Sequence, residues 1–206
     1  MTRVATVLRY TAFGLMALFG VFGGLFAAGY AFEDPGGWPA AGMTALYVAP
    51  TLALSWLALA LPRTAAPVLV AASVLVLGFS VLDAALRVVP RDAWGPAAAI
   101  AVLALGFALA FLGLHRPTLA GTLLVVAALV QLTATLLGHR VVGLPDGAPP
   151  DGSPGIGALL GGSSGVVVVP LLVSGLLFIA AGAAADDRRH PAAPPKRLGG
   201  HTPRPL

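Results

Sequence analysis

Ser73, Ser80, Asp83 and Arg87 are the residues whose types and spacing come closest to a chemical site. They stand seven, three and four residues apart, which places them on one face of a helix. Asp83 and Arg87 form an i, i+4 pair able to bridge. The surrounding stretch, Ala66–Pro90, is otherwise apolar and long enough to cross a bilayer. A second set, Gln131 and Thr135, lies four residues apart in another apolar stretch. By rise per residue, Asp83 falls roughly 7–9 Å below the outer end of its stretch, and Gln131 is also in the outer half. Two chemistries fit. In the first, Ser, Thr and Gln side chains hydrogen-bond between helices because lipid offers no partner, and Arg87 neutralises Asp83 near the interface. In the second, Asp83 binds a cation or proton in an outward-facing polar cavity, and Gln131 orients a solute. Asp83 is near enough to water to ionise without a special purpose, so the first reading is the expectation. A small transporter or channel-like carrier is the alternative.

Enzyme motifs are weaker. Gly162-Ser163-Ser164-Gly165 resembles the nucleophile motif of the rhomboid intramembrane proteases. A serine nucleophile needs a base within hydrogen-bond reach, and the resemblance implies a histidine on a later membrane helix. The histidines after Ser164 are His190 and His201, both in the charged tail. His115 closes segment four on the inner side and His139 closes segment five on the outer side, too far apart to share a metal. There is no HExxH and no GxxxxGK[ST]. With no cysteine in the chain, thiolate metal sites and disulfides are excluded. No catalytic role, cofactor or metal is expected.

The composition dictates what must hold these residues. Of 206 residues, 58% are hydrophobic and 10% charged, where a soluble domain has about a quarter charged. So few charges cannot cover a water-facing surface, so lipid must be the main solvent. Six apolar segments are each about as long as a bilayer is thick: 10–32, 43–61, 67–89, 96–114, 117–138 and 166–184. Their runs are continuous rather than alternating, which excludes barrel strands. An all-α, six-helix transmembrane bundle follows, spanning 1–185, with a basic, Pro-rich tail over 186–206 expected to be disordered. Segment one follows Arg3 and Arg9 but exceeds a signal-peptide core, so it is expected to stay as a helix. Gly20, Gly24 and Ala28 give it a small-residue face for an internal contact or a homo-oligomer seam. Pro50 and Pro170 interrupt segments two and six.

Sidedness follows from the basic residues. Arg3, Arg9, Arg63, Arg116, Arg188, Arg189, Lys196, Arg197 and Arg204 fall on one side if the segments alternate, and Arg87, Arg91 and Arg140 on the other. Both termini are therefore expected in the cytoplasm. Trp38 and Trp94 would sit at the outer interface. The long loop from His139 carries Gly157, Gly161 and Gly165 at four-residue intervals, which as a helix would give a smooth contact face; a flexible or re-entrant approach to segment six is the alternative. A weak repeat at a shift of 53 pairs Arg63 with Arg116 and Arg87-Val88-Val89 with Arg140-Val141-Val142, four matches that so biased a composition supplies by chance more readily than by duplication. The basic residues gather in loops and a tail, not on one face, which argues against a nucleic-acid partner.

Six short-looped segments with the turn Glu33-Asp34-Pro35-Gly36-Gly37-Trp38 resemble the uncharacterised small multi-pass membrane proteins of high-GC, actinobacterial-type bacteria. The resemblance implies no activity, and the expectation is a cytoplasmic-membrane bundle with an accessory or structural role. The expected partners are the lipid bilayer and a membrane protein or second copy of the chain.

Overall fold

The computed structural model describes residues 3–33, 37–86, 88, 97–142 and 163–186. They form six helices: α1 (Arg3–Glu33), α2 (Gly37–Ala60), α3 (Pro62–Leu86), α4 (Ala97–Gly113), α5 (Pro117–Val142) and α6 (Ser163–Asp186). Five are long and apolar enough to cross a membrane, and α4 is shorter, at 17 residues. No strand occurs among the described residues. The Asp34–Gly36 turn, Arg87, Arg91, Trp94, Gly157, Gly161 and the tail from 187 lie outside them, as does the proposed Asp83–Arg87 bridge.

α1, α5 and α6 overrun the apolar segments that announce them, α2 and α3 start earlier than theirs, and α4 stays within its segment. α1 begins at Arg3 rather than Tyr10, and α2 at Gly37 rather than Met43. An apolar run marks only where polar side chains stop, whereas backbone hydrogen bonding continues past its ends. Gly37 starts α2 with φ at 60°, a left-handed conformation that costs a glycine nothing. Pro62 opens α3 at a position where no intrahelical N–H is needed. Leu61 alone links α2 to α3, and Leu114-His115-Arg116 links α4 to α5, so each pair is antiparallel.

Five helices form a closed ring in the order α1, α2, α3, α5, α6 and back to α1, and α4 runs through its centre, touching all five. Val102, Leu103, Leu105, Ala108, Leu109, Ala110 and Leu112 of α4 are all buried. A helix that is apolar on every side belongs in the interior, and α4 carries no polar side chain. The axis that a channel would leave open is thus packed with aliphatic side chains. The α2–α3 and α4–α5 pairs, matched by the 53-residue shift, hold unlike places: α2 belongs to the ring and α4 to the axis.

Glycines set how closely these helices approach. A Cβ on Gly20 would collide with the Phe107 ring, and one on Gly24 would come 3.1 Å from the Tyr47 ring. The small-residue face of α1 therefore packs inside the bundle, against α4 and α2. The most extensive interface joins α5 to α6. There a Cβ on Gly121 would lie 2.6 Å from the Gly175 carbonyl oxygen, and one on Gly175 2.9 Å from that of Gly121.

Candidate functional site

The half of the α3–α5 interface toward Leu86 brings together part of what the sequence marks out. Ser80 Oγ donates to Gln131 Oε1 at 2.9 Å, and both residues are buried. α3 presents Ala65, Leu69, Ser73, Leu77, Ser80 and Ala84 to the interior, a stripe repeating every three to four residues. That stripe carries Ser80 inward to meet Gln131, which lies on the α5 face shared by Leu124, Ala127, Ala128 and Ala134. Asp83 is half-buried one turn beyond Ser80, three residues before Leu86. Thr135 donates to the Gln131 carbonyl at 2.9 Å.

Most hydroxyls in the bundle do not act between helices. Ser73 Oγ donates to Leu69 O at 2.7 Å, Thr51 to Tyr47 O at 2.6 Å, Ser55 to Thr51 O at 2.7 Å and Thr133 to Leu129 O at 2.9 Å. In an apolar surround a hydroxyl takes the nearest acceptor, the carbonyl one turn back on its own helix. The expectation that Ser and Thr bond across helices is corrected for these four residues, whereas Ser80 does bond across because Gln131 is opposite it. Tyr47 OH reaches the Gly20 carbonyl at 3.4 Å, a long contact between α2 and α1.

Two features carry no sequence signal strong enough to find them. Arg9 Nη1 donates to Leu114 O at 3.0 Å, so α1 supplies a cation to the C-terminal end of α4. The last carbonyls of a helix have no partner of their own, and a guanidinium there satisfies one and opposes the helix dipole. Ser174 of α6 is fully buried, and its Oγ meets no hydrogen-bond partner. Leu171 and Phe178, on the same α6 face, lie against Gly106 and Gly113 of α4.

The Arg9–Leu114 contact also orders the charges. Arg3, Arg9, Arg63, His115 and Arg116 all fall at the end of the bundle where α1 begins and α4 ends. A Cβ on Gly182 would meet Thr118 at 2.8 Å, which brings the end of α6 and Asp186 to that same end. Glu33 and Asp83 lie at the other end. Among the described residues no group of three or more His, Cys, Asp or Glu is placed to hold a metal.

Comparison with known protein families, with curated proteins and with solved structures found no match.

A double-mutant cycle tests the α3–α5 bond. Ser80→Ala and Gln131→Leu are expected to couple by about 0.5–1.5 kcal/mol in unfolding titrations of the detergent-solubilised chain. The lower part of that range is expected, since a Ser80 hydroxyl deprived of Gln131 can fall back on the Val76 carbonyl. Coupling indistinguishable from zero would show that the bond contributes only geometry.

Proposed function

We propose that this chain is a non-catalytic structural or accessory component of a membrane. Five of the six described helices are apolar and membrane-length, and the reading of their role rests on one observation: Gln131 and Ser80, the polar pair nearest to a solute site, are buried against each other beside an axis filled by α4. Side chains held in this way fix two helices in register and depth. A carrier needs such groups turned toward a passage.

The sidedness we propose places Arg3, Arg9, Arg63 and Arg116 in the cytoplasm, with both chain ends there, in the cytoplasmic membrane. The gathering of described basic side chains at one end of the bundle, with Glu33 and Asp83 at the other, supports it. Reporter fusions to each terminus are expected to report the same, cytoplasmic compartment.

Asp83 discriminates between this role and transport. Asp83→Asn is expected to change the amount of folded protein in the membrane by less than about twofold, because a half-buried carboxylate near the interface contributes little. Solute and proton flux into vesicles containing the purified chain is expected to be unaffected. A flux present in the wild type and abolished by Asp83→Asn at equal protein level would overturn the structural reading in favour of a carrier.

A further inference from the structure

We infer that one face of α2 marks both boundaries of the hydrocarbon layer, and that the partner this face fits is a bilayer whose apolar thickness is about 27 Å. The inference rests on the membrane reading above and adds a dimension to it. Trp38 and Trp56 are 18 residues apart. At about 3.6 residues per turn this separation is close to five full turns, so both indoles leave α2 in the same direction, ~27 Å apart along its axis. Both are exposed, at 90% and 67%.

Between them the same face presents Gly42, Ala45, Ala49 and Leu52, all exposed and none polar. A surface of that composition has no use in water. An indole has an apolar body and one N–H donor, and prefers the layer where hydrocarbon gives way to headgroups. Trp56 lies four residues before the end of α2, and Arg63 follows beyond the turn, so the charge falls outside the layer and the indole at its rim. Tyr10, exposed on α1 with the Arg9 guanidinium 5.6 Å from its ring, sits at the same end of the bundle.

One other helix matches that thickness, and a second can be fitted to it by tilting. α4, on the axis, has 17 residues and is ~25 Å long. The apolar run of α1 from Tyr10 to Phe32 covers ~33 Å, so it crosses a 27 Å layer when tilted by roughly 35°, inside the range that membrane helices adopt.

The test uses the full chain in phosphatidylcholine vesicles, with acyl chains graded from myristoleoyl to erucoyl. Variants retaining one tryptophan, Trp38 (W56F with W94F) or Trp56 (W38F with W94F), are quenched by lipids brominated either near the glycerol or near the chain end. In vesicles of intermediate chain length, each indole is expected to be quenched roughly twofold more by the shallow label than by the deep one. The thermal unfolding midpoint is expected to peak at intermediate chain length. Stronger quenching of Trp56 by the deep label, or a midpoint that climbs without a maximum through the series, would overturn the inference while leaving membrane insertion intact. Release of the chain from vesicles by alkaline wash would overturn the membrane reading, and this inference with it.

Discussion

Gly121→Val is expected to destabilise the bundle by about 3 kcal/mol, or to prevent its assembly, because α5 and α6 touch there through their backbones. A Cβ at this position would stand 2.6 Å from the Gly175 carbonyl oxygen, 2.8 Å from Ile179 Cγ1 and 2.9 Å from the Ile179 nitrogen. Two of those three are main-chain atoms, which no side-chain rotation can move aside. Relief requires the two helices to separate, and the separation spreads along the most extensive interface in the molecule. Overpacking of a core ordinarily costs about 1–3 kcal/mol, and backbone contact places this site at the upper end. The helix-propensity gain from removing a glycine, at most about 1 kcal/mol, does not offset it. Gly78→Val on α3 is the matched control. A Cβ there meets nothing within 4 Å, so its effect is expected to stay within about 0.5 kcal/mol. Unfolding of both variants in the same detergent, followed by circular dichroism, reads the difference. Equal midpoints for Gly121→Val and Gly78→Val would show that the α5–α6 crossing is not close.

Phe178→Ala is expected to cost about 2–3 kcal/mol. Phe178 is the largest fully buried side chain, and its ring fills the space over Gly113, where a Cβ would come to 2.5 Å from it. In water, truncating a buried phenylalanine loses both transfer free energy and packing, about 3–5 kcal/mol in all. Within a bilayer the unpacked state is also apolar, so the transfer contribution largely disappears and the cavity remains. The position therefore separates the two solvents: a loss well above 4 kcal/mol would indicate that water reaches this interface on unfolding. Gly113→Leu in the Phe178→Ala background is expected to recover part of the loss, since it returns side-chain volume to the same hole from the opposite helix. Alone, Gly113→Leu is expected to be destabilising.

The helix content and the number of apolar segments were legible because each depends on a local property, the length of an uncharged run. The place of α4 was legible in principle: Ala97–Gly113 has no polar residue, and such a helix belongs where no face meets the outside. The order of the ring was not, because α1, α2, α3, α5 and α6 are apolar on nearly every side and hydropathy does not tell lipid from protein. What tells them apart is shape. Gly20, Gly121 and Gly175 are pressed against neighbours, whereas Gly14 and Gly78 meet nothing, and composition alone gives all five the same value. Of the polar residues, the Ser80–Gln131 pair could be anticipated from depth and face. The back-bonded hydroxyls of Ser73, Thr51 and Ser55 follow from local chemistry that a search for interhelical partners overlooks. The capping of α4 by Arg9 joins residues 105 apart and needs the fold itself.

A buried central helix has a consequence for synthesis. α4 leaves the ribosome before α5 and α6, yet those two complete the wall around it. While the nascent chain is still short of Ser163, flanks of α4 destined for protein must rest against lipid or the insertion machinery. Their uniform apolarity lets them wait there at little cost.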